Sequence, residues 1–117
     1  MSVQQRIDVT ADINDNSLCQ LDIGGWDYAV VQLVSPTGTF TFNTTNDAGD
    51  TTGVTDGSAI SATNWIATQG TNLNSGSGVT TLNASGLVRF QGVGQFLQIA
   101  GAGSSVTKAI VRLYKIC

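Results

Sequence analysis

YAVVQLVSPTGTFTFNTTNDAGD, residues 28–50, decides the fold. Residues 28–34 are dense in Val, Leu and Tyr, which suit a pleated and half-buried surface. Ser35-Pro36-Thr37-Gly38 is a turn: proline presets φ, and glycine admits positive φ further on. Residues 39–43 form a second strand. Side chains alternate, so Phe40 and Phe42 share one face while Thr39, Thr41 and Asn43 share the other. Residues 44–50 are turn formers and read as a loop.

The same grammar extends in both directions. On the N-terminal side, Ile7, Val9, Ala11 and Ile13 alternate with Arg6, Asp8, Thr10 and Asp12, a period-two pattern. Asn14-Asp15-Asn16-Ser17 reads as a turn, and Cys19, Leu21 and Ile23 make the inner face of the next strand. Residues 4–23 are therefore predicted to be an N-terminal hairpin. On the C-terminal side, residues 50–61 read as a long loop and 64–69 as a strand holding Trp65 and Ile66 on opposite faces. Residues 71–78 read as a turn region, and 79–83 as a short strand. Val88 and Phe90 share a face of 87–91, and residues 92–94 break the pattern. Residues 95–100 place Phe96 and Gln98 opposite Leu97 and Ile99. Residues 101–105 are a glycine-rich turn before a long closing strand, 106–116. No window carries the i, i+3, i+4, i+7 stripe of a helix. The expected architecture is one all-β domain spanning residues 1–117. It is a two-sheet antiparallel β-sandwich, jelly-roll-like, with eight or nine short strands.

Composition narrows the function. A chain of 117 residues can bury a single core without a metal or disulfide. Only 11% of its residues are charged, less than half the usual ~25%. Such a neutral polar surface suits a protein packed among copies of itself, and equally suits an ordinary Thr/Ser-rich sandwich. Net charge is −3 and every acid is Asp. The five basic residues (Arg6, Arg89, Lys108, Arg112 and Lys115) form no continuous run, which argues against a nucleic-acid partner. Cys19 falls on an apolar strand face; Cys117 could pair with it or with another chain, or both could stay thiols. The start lacks the pattern of a signal peptide, and no apolar run approaches the ~18 residues of a membrane span. Synthesis in a cytoplasm and no membrane partner are expected.

Catalytic chemistry is poorly represented. There is no His, which removes the commonest general base and zinc ligand. The aspartates fall mostly in turn-forming stretches, where Asp bonds its own backbone. No enzymatic activity, cofactor or metal is expected. Two oxygen-rich stretches, residues 12–16 and 46–50, could offer calcium ligands, but turn chemistry explains both as well. Trp26 and Trp65 are candidate stacking platforms for a glycan, with Tyr28 and Tyr114 as further aromatics.

The closing strand carries the strongest interface signal. Ala109, Val111 and Leu113 make one apolar face, while Ile110, Tyr114 and Ile116 make the other beside Arg112. A monomeric sandwich would show water a polar face there. The second face is predicted to lie at a subunit contact or under the N-terminal hairpin, with Arg112 paired to an Asp.

The order of pieces resembles a β-sandwich structural module of tailed-bacteriophage virion proteins. The residues that carry it are Gly38, Thr39, Phe40, Thr41, Phe42, Asn46 and Asp47, then Asn64 and Trp65. Gly86, Leu87, Arg89, Phe90, Gly94 and the strand 96–99 complete it. The resemblance covers residues 26–116 and implies a non-enzymatic virion protein made in the host cytoplasm. Capsid decoration (cement) proteins fit best, and they imply a homotrimer bound to the major capsid protein or other virion proteins. The alternative is a receptor- or carbohydrate-binding module of a tail or head fibre.

Overall fold

The computed structural model describes residues 2–46, 65–91 and 96–116. Along them run β1 (Ser2–Asp8), α1 (Thr10–Asn16), β2 (Leu18–Asp22), β3 (Tyr28–Val34), β4 (Phe40–Thr45) and β5 (Ile66–Ala67). There follow β6 (Gly70–Asn72), β7 (Gly78–Val79), β8 (Thr81–Leu82), β9 (Gly86–Gln91), β10 (Phe96–Ala100) and β11 (Lys108–Ile116). Sheet A has the order β1-β11-β3-β9-β6-β7; sheet B has β2-β10-β4-β5, with β8 also on β4. Every pairing is antiparallel. The all-β two-sheet sandwich expected from the sequence is the fold observed. Pairing is nested, with β1 on β11 and β2 on β10, then β3 on β11 and β4 on β10. Successive long strands thus alternate between sheets, the winding of a jelly roll.

Residues 28–34 form the strand expected, but the second strand runs Phe40–Thr45, so Thr44 and Thr45, expected in the loop, pair with β10 instead; the loop beyond Asn46, the 50–61 stretch, the 92–94 break and Cys117 lie outside the described residues. Ala29, Val31 and Leu33 of β3 are buried, as are Phe40 and Phe42 of β4. The turn between them is a crossing from sheet A to sheet B and does not pair the two strands. Ser35 and Gly38 take positive φ, 49° and 88°, and Thr37 exchanges backbone hydrogen bonds of 2.7 and 3.2 Å with Ser105. Phe42 then meets Phe90 of the opposite sheet edge-on, with centroids 4.9 Å apart. Such pairs add ~0.5–1.5 kcal/mol beyond area burial. Behind them the core has little slack: a Cβ on Gly101 would sit 2.8 Å from the Phe40 ring.

The N-terminal hairpin predicted over residues 4–23 does not form. β1 pairs with β11 in sheet A, β2 pairs with β10 in sheet B, and the expected turn is part of helix α1. Val9 and Ile13 satisfy two periods at once, two residues and four. Ala11 separates the two readings, because a strand would bury it and it is exposed. Val9 and Ile13 are fully buried on the core side of α1, and Ser17 closes the helix in the left-handed region with its N–H on the Ile13 carbonyl. Asn14 fastens the helix to the approach of β11. Its Nδ2 donates to the Val106 carbonyl at 3.0 Å, and its Oδ1 accepts from the Val106 N–H at 2.9 Å. The strand expected over 64–69 shrinks to β5, and the turn region 71–78 contains β6 and the start of β7.

On sheet B, Cys19, Leu21, Leu97 and Ile99 face the core. The opposite faces of β10 and its neighbours align Gln20, Gln98 and Asn43 in one cross-strand row, with Asn43 Nδ2 donating to Gln98 Oε1 at 2.9 Å. Gln20, Thr45 and Phe96 are buried there too, although they point away from the space between the sheets. The sequence placed Gln20 in water, and the amide row explains why it can leave it.

Two measurements check this account. Asn14→Ala leaves the buried Val106 amide without its partner and should cost about 1–3 kcal/mol in urea unfolding. Burial pushes the Cys19 thiol up to about 12 from an ordinary 9.0. The unfolded chain then releases that proton first as pH rises, so stability should fall between pH 9 and about 12. A Cys19→Val variant should show a shallower decline in the same denaturation series.

Candidate functional site

The outer face of sheet A is built by strand register. Successive residues alternate, so β1, β11, β3 and β9 each turn every second side chain outward. Pairing aligns Arg6, Arg112, Val30 and Arg89 in one row across four strands. Strands sit ~4.8 Å apart, so the three arginines span about 14 Å. One row holds Gln4, Tyr114, Tyr28 and Gln91; another holds Asp8, Ile110, Gln32 and Leu87. Tyr28 and Tyr114 stack with centroids 4.7 Å apart and planes 13° from parallel. Beside them Val30, Leu73, Leu87 and Ile110 line a depression of about 280 Å³ that also takes in Arg112 and Tyr114.

Charge is unevenly matched on this face. Lys108 Nζ lies 3.0 Å from an Asp8 carboxylate oxygen. The Asp8 carboxyl is held well below the usual carboxylate range, first by hydrogen bonds from Thr10 and then by Lys108. Arg112 donates to Gln4 Oε1 at 3.4 Å, so the aspartate partner predicted for it is replaced by an amide. Among the described residues Arg6 and Arg89 meet no carboxylate. Arg6 also stands directly opposite Arg112, a like-charge cross-strand pair of the kind that destabilises a sheet.

All four interface residues predicted from the closing strand lie on this face. Ile110 keeps 8% of its surface, Tyr114 is half-buried, Arg112 is exposed and Ile116 is 68% exposed. β1 lies beside β11 in the sheet and does not cover it, so the expected covering hairpin is absent from that face. The two tryptophans do not come together. Trp26 follows β2 at one edge of sheet B and packs against the core; Trp65 precedes β5 at the other edge. Residues 12–16, read as a possible calcium loop, belong to α1, and no group of three or more His, Cys, Asp or Glu gathers among the described residues. Sequence reading missed the arginine row and the tyrosine stack, because both depend on which strands become neighbours.

Arg6→Glu would turn the like-charge pair into an attractive one. It should raise stability by about 0.5–1 kcal/mol in urea unfolding at low salt, with the gain shrinking at high salt.

No family model matches the chain, and no curated protein matches it. Among solved structures, the SPBc2 prophage-derived protein YomS is similar, with a TM-score of 0.60 and 14% identity over 98% of this chain and 96% of that one. The likeness is one of fold.

Proposed function

We propose that the chain is a non-enzymatic structural protein of a bacteriophage particle. In this reading it decorates the assembled head as a homotrimer and strengthens the shell through the major capsid protein. The observation that carries the reading is the outer face of sheet A. A broad sheet surface presents Ile116, Leu87 and Leu73 to solvent together with three arginines, which is the composition of a surface that packs on protein. The fold shared with a prophage-derived protein along nearly all of both chains supports a phage origin. The resemblance of residues 26–116 to virion modules points the same way. A glycan-binding fibre module draws no comparable support, since Trp26 is committed to the core and lies across the sheet from Trp65.

The test uses the genome that encodes the protein. An epitope tag on the chain should band with genome-filled heads in a density gradient, including heads that lack tails. A tag confined to the soluble fraction would reject the decoration role, and one found only with tails would move the protein to the fibre. Light scattering on the purified chain should give a trimer at micromolar concentration. Ile116→Ser, at an exposed position, should weaken that trimer without lowering the melting temperature of the subunit.

A further inference from the structure

Two depressions on the outer face of sheet A run into one another. The first, of about 280 Å³, reaches from Arg112 and Tyr114 to Leu73. The second, of about 560 Å³, reaches from Gln32 to Asn74, Ser85 and Gly86. Gln32, Leu73 and Leu87 line both, so the two make one groove that crosses β11, β3 and β9 to the β6–β7 turn. Strands ~4.8 Å apart give it a length of about 14 Å. Its far wall is fixed before anything binds. Leu73 donates its N–H to the Leu87 carbonyl at 2.9 Å. Asn72 holds the turn, accepting from the Asn74 N–H with its side chain and from the Gly76 N–H with its carbonyl.

The groove changes chemistry along its length. At one end Arg112 and Arg89 flank Val30 in a single cross-strand row. Arg112 gives one N–H to Gln4, and Arg89 meets no carboxylate among the described residues. A guanidinium carries five donors, so an anion above Val30 would find both side chains within reach. In the middle, Leu73, Leu87 and Ile110 present aliphatic surface around Gln32. The exposed Gln32 amide has no side-chain partner among the described residues, and it can donate to and accept from one peptide group at once. At the other end Ser85 Oγ accepts from the Ser35 N–H at 2.8 Å, which leaves its hydroxyl proton for an incoming carbonyl.

Three kinds of occupant fare differently there. A small free ligand is poorly served, because such sites enclose most of their ligand and here Leu73 and Leu87 are themselves 44% and 40% exposed. A nucleic acid would meet a chain of net charge −3, and its bases would find the Tyr28 and Tyr114 rings already stacked on each other. An extended peptide matches all three zones. It brings a carboxylate to the arginines, aliphatic side chains to the middle, and backbone groups to Gln32 and Ser85. At ~3.3 Å per residue, about four residues fill the groove.

We propose that this groove holds an extended segment of a partner protein. An Asp or Glu carboxylate of that segment sits over Val30 between Arg89 and Arg112, and a leucine-like side chain after it lies against Leu73 and Leu87. The proposal rests on the reading of this face as a protein contact, and it names what the partner must present. Ile116 lines neither depression, so the subunit contact proposed there does not need the groove.

The test titrates the isotope-labelled full-length chain with the blocked peptide acetyl-Asp-Leu-Thr-Leu-amide, followed by NMR. Saturable shifts should centre on the amides of Val30, Gln32, Leu73 and Leu87. Arg89→Gln with Arg112→Gln should weaken binding about fivefold or more, and so should changing the peptide's Asp to Asn. Both changes together should weaken it no further, because they remove the same pairing. The two arginines are exposed, and circular dichroism melting checks that the variant folds. No saturable binding at millimolar peptide, shifts centred elsewhere, or equal binding of the Asn peptide overturns the proposal. Tight binding of labelled oligothymidylate that the double change abolishes would give the groove to nucleic acid and overturn it too. The density gradient separates this inference from the wider one. A double variant that bands with heads as well as the wild type does removes the groove contact and leaves the head role standing. A wild-type chain that bands with no heads removes the head role, and the peptide titration then decides the groove by itself.

Discussion

A strand has two faces and no third, and in this molecule that constraint reaches every surface. β3, β4, β9, β10 and β11 each commit one row to the space between the sheets, so the opposite row is fixed by the same register. Ala29, Val31 and Leu33 meet Leu113, Val111 and Ala109 across β3 and β11 in the core. Tyr28, Val30 and Gln32 must then meet Tyr114, Arg112 and Ile110 outside. A slip of one residue would drive Arg112 into the core and carry Val111 out. Core and candidate interface are thus one structural decision.

The two outer faces solve the same problem differently. On sheet B the outward row is Gln20, Gln98 and Asn43, amides able to donate and accept among themselves. They suit a surface that is withdrawn from water, and Gln20 is buried. On sheet A the outward rows mix guanidinium groups with Tyr, Ile and Leu. Arginine is weakly hydrated and planar, so it tolerates the edge of a protein contact better than lysine does. The two outward faces therefore differ in chemistry, with a neutral amide row across sheet B and a cationic, partly apolar surface on sheet A.

Much of the architecture was legible in the residues, for identifiable reasons. Strands with one buried face write it as alternation, so 28–34, 87–91 and the Phe40–Phe42 pair were read in the right sense. Val9 and Ile13 failed as a strand because their spacing serves a helix equally, and only the exposure of Ala11 decides between them. β5 to β8 are two or three residues each, too short for any period to register. The closing strand announced its second apolar face through Ile110, Tyr114 and Ile116. Its neighbours could not be read, because Arg6, Arg89 and Arg112 are up to 106 positions apart and only pairing makes them a row.

The place of β11 between β1 and β3 has a kinetic consequence. Residues 2–8 find their partners at 110–116, so the edge of sheet A depends on a pairing between distant parts of the chain. A nascent chain emerging from the ribosome has β1 and β3 long before it has the strand that joins them. Until then Ile7, Val31 and Leu33 have no β11 to shelter them, and both strands offer open edges. Loops of this length close slowly, so folding should wait for the end of synthesis and proceed at the slow end of the range for small domains. Chaperones that bind nascent chains would hold such a protein soluble through that interval.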